Sequence, residues 1–84
     1  MIITANLKGF TLAHNIYVID EDKIKHITKC TIKNMPEVIC ELAKQYEPSK
    51  VLLQGNKKYS AELKHKIQFT YATKFARECP FEIE

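Results

Sequence analysis

The stretch Asn34-Met35-Pro36-Glu37-Val38-Ile39-Cys40-Glu41-Leu42-Ala43-Lys44-Gln45-Tyr46-Glu47-Pro48-Ser49-Lys50-Val51-Leu52-Leu53-Gln54-Gly55 decides the fold. Met35, Val38, Ile39, Leu42, Ala43 and Tyr46 recur at 3.6-residue spacing, while Glu41, Lys44 and Gln45 fall on the other side. This pattern is an amphipathic helix. Asn34 is expected to act as its N-cap, with Pro36 in the first turn and Glu37 three residues beyond the cap. Pro48 stops the helix. Val51-Leu52-Leu53-Gln54 is a short apolar run closed by Gly55 and reads as an interior strand. A helix leading into an interior strand makes a right-handed crossover, so this strand returns parallel to an earlier one.

Upstream, Ile2-Ile3-Thr4-Ala5-Asn6-Leu7 reads as a buried strand followed by Lys8-Gly9, and Phe10 to Asn15 as a connection. Ile16-Tyr17-Val18-Ile19 is a second strand, and Asp20-Glu21-Asp22-Lys23 a hairpin turn. Ile24 to Ile32 is a third strand, in which Lys25, Lys29 and Lys33 keep one phase and predict one solvated face. Downstream, Tyr59, Leu63, Ile67, Tyr71 and Phe75 recur every four residues and predict a second helix from about Lys57. Ile67, Phe69, Tyr71, Thr73 and Phe75 also alternate with period two, which leaves open a strand starting near 67. The helix is preferred because no turn residue separates 60 from 78. Pro80 closes it, and Phe81 to Glu84 can add a short edge strand.

These elements give a single α+β domain over residues 1–84. It comprises a three-stranded antiparallel meander, a helix, a parallel fourth strand, a second helix and a short C-terminal edge strand, with both helices expected on one face. At 84 residues the chain is shorter than the usual domain of roughly 100–150 residues and holds one small core. There is no room for an active site with its own lid and cofactor domain, and no cofactor is expected. No apolar run approaches the ~20 residues that span a bilayer, and residues 1–7 lack the layout of a signal peptide. A cytoplasmic protein without membrane contact is expected. Cys30, Cys40 and Cys79 are an odd number at wide spacing without a CxxC pair. They therefore read as buried or half-buried thiols rather than disulfides or zinc ligands.

The net charge of +3 is unevenly spread. Residues 1–49 are neutral, residues 50–77 carry seven cations against Glu62 alone, and the tail is acidic through Glu78, Glu82 and Glu84. On a helical projection Lys57, Lys64 and Lys74 fall near one side, and Lys58, Lys66 and Arg77 elsewhere. That spread suits a solvated surface better than a stripe for nucleic acid, and arginine, which dominates base and phosphate recognition, is scarce.

The order of elements resembles the ribonuclease H-like fold, in which three antiparallel strands precede a helix and a strand parallel to the first. Ile3-Thr4-Ala5-Asn6-Leu7-Lys8-Gly9, a loop and Asn15-Ile16-Tyr17-Val18-Ile19-Asp20 look like the opening hairpin of such nucleases and of sugar-kinase and actin relatives. The chain is also similar in character to small proteins of phages and their bacterial hosts. Ribonuclease H-like nucleases need carboxylates near the ends of the first and fourth strands to hold Mg²⁺. Here Asn6 occupies the first place and Gln54-Gly55-Asn56 the second. The resemblance therefore implies a truncated ribonuclease H-like domain without the metal-binding constellation.

If the first and fourth strands are parallel neighbours, Asn6-Leu7-Lys8 and Gln54-Gly55-Asn56-Lys57-Lys58-Tyr59-Ser60 lie together beyond their carboxyl ends, where open sheets collect ligands. Gly55 permits close approach, and the helix that follows offers free N–H groups beside Lys57 and Lys58. Asn6, Lys8, Gly55, Asn56, Lys57, Lys58 and Ser60 are the candidate ligand-binding residues, for a phosphate-bearing ligand. The same turn also reads as an ordinary strand-to-helix connection kept soluble by two lysines. The expectation is a non-catalytic binding protein. It would act through a protein partner or that ligand, perform as a phage-type inhibitor of a host protein, and form a homodimer through an exposed strand edge. The alternative is a nucleic-acid-binding protein or metal-dependent nuclease.

Overall fold

A computed structural model describes all 84 residues. Strands β1 (Ile2–Leu7), β2 (His14–Asp20) and β3 (Lys23–Cys30) form the antiparallel meander, helix α1 (Met35–Tyr46) crosses over, and β4 (Lys50–Gly55) returns parallel to β1. Helix α2 (Lys57–Phe75) follows, and β5 (Glu82–Ile83) adds to β4 in parallel. The five-stranded sheet has the order β3-β2-β1-β4-β5. It is a small α+β architecture, as the pattern of elements predicts.

Both helices cover one face. Ile3, Ala5 and Leu7 of β1, Ile16 and Val18 of β2, and Val51 and Leu53 of β4 are buried there against Met35, Ile39, Cys40, Leu42 and Ala43 of α1 and Leu63, Ile67 and Tyr71 of α2. The alternate residues of the same strands, Ile2, Thr4, Tyr17, Ile19 and Leu52, are only half-buried on the opposite face. The second helix is continuous from Lys57 to Phe75, which removes the strand reading near 67. Leu63, Ile67 and Tyr71, four residues apart, are its buried stripe, so Phe69 and Thr73 face solvent.

Two local expectations are corrected. Asn34 is not a side-chain cap: it already has helical backbone angles (φ −93°, ψ −8°) and closes a 3₁₀ turn over Ile32–Asn34. That turn tucks Ile32 into the core, and Asn34 Nδ2 lies 3.5 Å from Thr31 Oγ1 instead of Asn34 accepting from the helix. The phase of the β3 lysines is not that of one solvated face either. The β2–β3 register passes from Val18↔His26 to Ile19↔Ile24, so Lys25 is an extra, bulged residue. Ile24 and Ile27 therefore share a face with Ile19 and Tyr17, together with Lys29 opposite Asn15. The hairpin closes through Glu21 and Asp22, both left-handed (φ 51° and 63°), as a two-residue turn of the twist-matching kind requires.

Candidate functional site

The parallel pairing of β1 with β4 sets Asn6 beside Gln54 and Leu7 beside Gly55, and the Asn56 N–H donates to the Leu7 carbonyl at 3.1 Å. The carboxyl ends of the two strands thus meet as expected. Gly55 has φ +91°, and a β-carbon there would lie 2.2 Å from the Leu7 carbonyl oxygen and 2.6 Å from Asn6 Oδ1. The glycine lets β4 close against β1, where the Leu7 carbonyl oxygen, Asn6 Oδ1 and the Leu7 nitrogen leave no room for a side chain.

Asn56 is extended (φ −66°, ψ 114°) and is the N-cap of α2: its Oδ1 accepts from the Tyr59 N–H at 3.1 Å. Ser60 is drawn into the helix, its N–H donating to the Asn56 carbonyl at 3.0 Å and its Oγ to the Lys57 carbonyl at 3.0 Å. Lys57 and Lys58 stay exposed in a first turn that contains no acid. The loop after β1 folds over this turn, with the Phe10 and Tyr59 rings 6.2 Å apart.

The candidate residues fall into two groups. Gly55, Asn56, Lys57, Lys58 and Ser60 build the β4–α2 turn, whereas Asn6 and Lys8 line a cavity of about 270 Å³ with Ala13, His14, Asn15 and Tyr17. Asn15 Nδ2 donates to the Tyr17 hydroxyl at 3.3 Å beside it. Asn6 connects the groups, since its side-chain oxygen overlies Gly55.

His14 was not singled out by sequence. It is only 4% exposed, and its Nε2 accepts from the Lys8 N–H at 2.9 Å, which leaves the proton on Nδ1, buried without a partner. The signal was present: His14 stands in the phase of Ile16 and Val18, where an imidazole must find partners. Also missed was a groove between the start of α1 and the middle of α2, which has Phe69 in its lining. An aromatic out of phase with Leu63-Ile67-Tyr71 was its sequence signal.

Two of the seven cations of the basic segment are held by carboxylates. Lys50 pairs with Glu84, and Lys74 with Glu37 and Glu41, contacts that hold both ammonium groups above the usual lysine range. Of the acids in the β2–β3 hairpin, Asp20 lies 3.9 Å from the N-terminal ammonium, at the opposite end of β1 from Asn6. No group of three or more His, Cys, Asp or Glu side chains is positioned to hold a metal ion. The cysteines are free, and burial pushes the Cys40 thiol up to about 12, which suits its role as donor to the Ile67 carbonyl at 3.5 Å and disfavours a thiolate nucleophile. No helix is long and apolar enough to cross a membrane. No family model matches the chain, and no curated protein and no solved structure is significantly similar to it.

Proposed function

We propose that the protein is a non-catalytic binding protein whose open sheet face and β3 edge receive a partner protein carrying an acidic extended segment. One observation carries this reading: no helix covers the second face of the sheet, and Ile24 and Ile27 stand 56% and 53% exposed on it. Half-buried Ile2, Tyr17, Ile19 and Leu52 continue the apolar surface across the sheet. Beside it runs β3, an edge strand of eight residues whose outer backbone groups have no strand partner. Such an edge accepts an added strand. Lys23, Lys25 and Lys29 are exposed along it, and β3 contains no acid. Two copies joined β3 to β3 would set these lysines against each other, and like charges directly opposite are unfavourable. Charge complementarity favours a different chain, with Glu or Asp facing the lysines and apolar residues reaching Ile24 and Ile27. The strand order supports the ribonuclease H-like resemblance, and amides at Asn6 and Gln54 support a binding role over metal-dependent nuclease chemistry.

The test uses an eight-residue alternating Glu-Val peptide with a fluorescent label, followed by anisotropy, with oligomeric state followed by light scattering. The peptide is expected to bind the monomer, to weaken about tenfold in I24S/I27S, and to lose affinity as salt rises. Absence of binding, or a concentration-dependent dimer abolished by I24S/I27S, overturns the reading; the second outcome identifies another copy as the occupant of the face.

A further inference from the structure

The largest concavity lies on the helical side of the molecule, away from the open sheet face. It has a volume of about 470 Å³ and is lined by Lys33, Asn34, His65, Lys66, Phe69 and Thr70, among others. That volume falls within the roughly 300–1,000 Å³ of small-ligand sites.

Three features of the lining define what fits it. Phe69 is 72% exposed, the most exposed large hydrophobic side chain in the protein, and it presents an uncovered ring in the middle of α2. Lys33, His65 and Lys66 are exposed around it. The carboxylate in the groove, Glu37, shares the Lys74 ammonium with Glu41 and keeps part of its charge, but Lys33 and Lys66 outnumber it, so the groove is positive on balance. Asn34 and Thr70 add an amide and a hydroxyl that can both donate and accept.

A flat apolar platform bordered by cations and by groups that hydrogen-bond either way matches a nucleobase joined to a phosphate. The base stacks on the Phe69 ring, its polar edge meets Asn34 or Thr70, and the phosphate lies toward Lys33 and Lys66. An acidic peptide matches less well. Its apolar side chains need apolar walls, and the lining offers only Phe69 and the Pro36 ring. We propose that this groove binds a nucleoside phosphate, free or as one unit of a single strand, by stacking on Phe69 and charge pairing with Lys33 and Lys66. The site stands apart from both the open sheet face and the β4–α2 turn, so it holds or fails independently of the reading above.

The probes are a labelled eight-nucleotide oligo-dT, its oligo-U counterpart, and adenosine monophosphate titrated by calorimetry. Phe69, Lys33 and Lys66 are exposed, so F69A and K33Q/K66Q should keep the wild-type melting temperature, which is checked first. F69A is expected to weaken binding about tenfold. K33Q/K66Q should lower the slope of log affinity against log salt by about 0.7, the value for one phosphate contact on a single strand. K57Q/K58Q, at the other site, should bind as wild type does. Binding of the oligonucleotides but not the mononucleotide supports the single-strand form, and binding of the mononucleotide supports the free form, provided F69A weakens either. No binding of any probe overturns the proposal. So does an affinity unchanged in F69A, or displacement of the probe by poly-glutamate equally from wild type and F69A, which would mean that charge alone, or an acidic peptide, fills the groove.

Discussion

Ile16 lies on β2 and Ile27 on the neighbouring edge strand β3, yet Ile16 is fully buried and Ile27 is 53% exposed. The first points to the face under α1 and α2, the second to the face that nothing covers. The covered face is sealed at Ile3, Ile16, Val18 and Val51, whereas the open face keeps isoleucines in water at Ile24 and Ile27. Residue type does not separate the two; the position of the helices does. An apolar surface of this kind is maintained against solvent on one side only, which is why the open side is read as a place for a partner.

The largest effect is expected at the seam between β1 and β4, where the two strands meet closely. G55A combines a left-handed backbone angle with a β-carbon driven into the Leu7 carbonyl. Strain and overpacking together should cost about 4 kcal/mol, read by denaturant unfolding. A loss below 1 kcal/mol would mean that β4 does not close on β1 as described. I3A on the covered face should cost about 3 kcal/mol, and I27A on the open face no more than about 0.5 kcal/mol. Equal losses would show that the open face is buried in solution, by a second copy or by chain rearrangement.

The smallest effect at neutral pH concerns Cys40, beneath the helices. Burial raises its thiol from the usual 9.0 to about 12. The folded chain therefore keeps a proton that the unfolded chain releases near pH 9, so the stability this thiol contributes is present below about pH 9 and is lost as pH rises toward 12. The stability of C40A should fall less steeply than that of wild type over that range, and Cys40 should resist alkylation at pH 8 while half-buried Cys30 and Cys79 react. Equal slopes, or ready alkylation of Cys40, would place the thiol outside the sealed face.

Periodicity carried most of the fold. The α1 stripe from Met35 to Tyr46, the apolar run before Gly55 and the strand-forming runs at 2–7 and 16–19 are local patterns, and each led to its element. The failures came from non-local contacts. Asn34 lost its capping role because Ile32 is pulled into the core, which winds the chain into a 3₁₀ turn before α1 begins. The β3 lysines lost their shared phase because the bulge at Lys25 inserts one residue relative to β2. In α2, two periods fitted the same aromatics, and packing of Leu63, Ile67 and Tyr71 decided between them. Of the candidate site, the meeting of Asn6 with Gln54 and of Leu7 with Gly55 was legible, because a parallel crossover forces it. The capture of Asn56 and Ser60 by the helix itself was not, since those hydrogen bonds depend on backbone angles that a residue list does not state.

The order of elements, the α+β class, the parallel return of β4 and the concentration of positive charge in residues 50–77 can be read along the chain. Those follow from periodicity, turn chemistry and counting, which act over a few residues. Packing in three dimensions sets which sheet face stays open, which of those cations are held by carboxylates, and that Lys33 and Phe69, 36 positions apart in the sequence, line one groove. These are properties of distance in space, set by how two helices pack across one side of a twisted sheet.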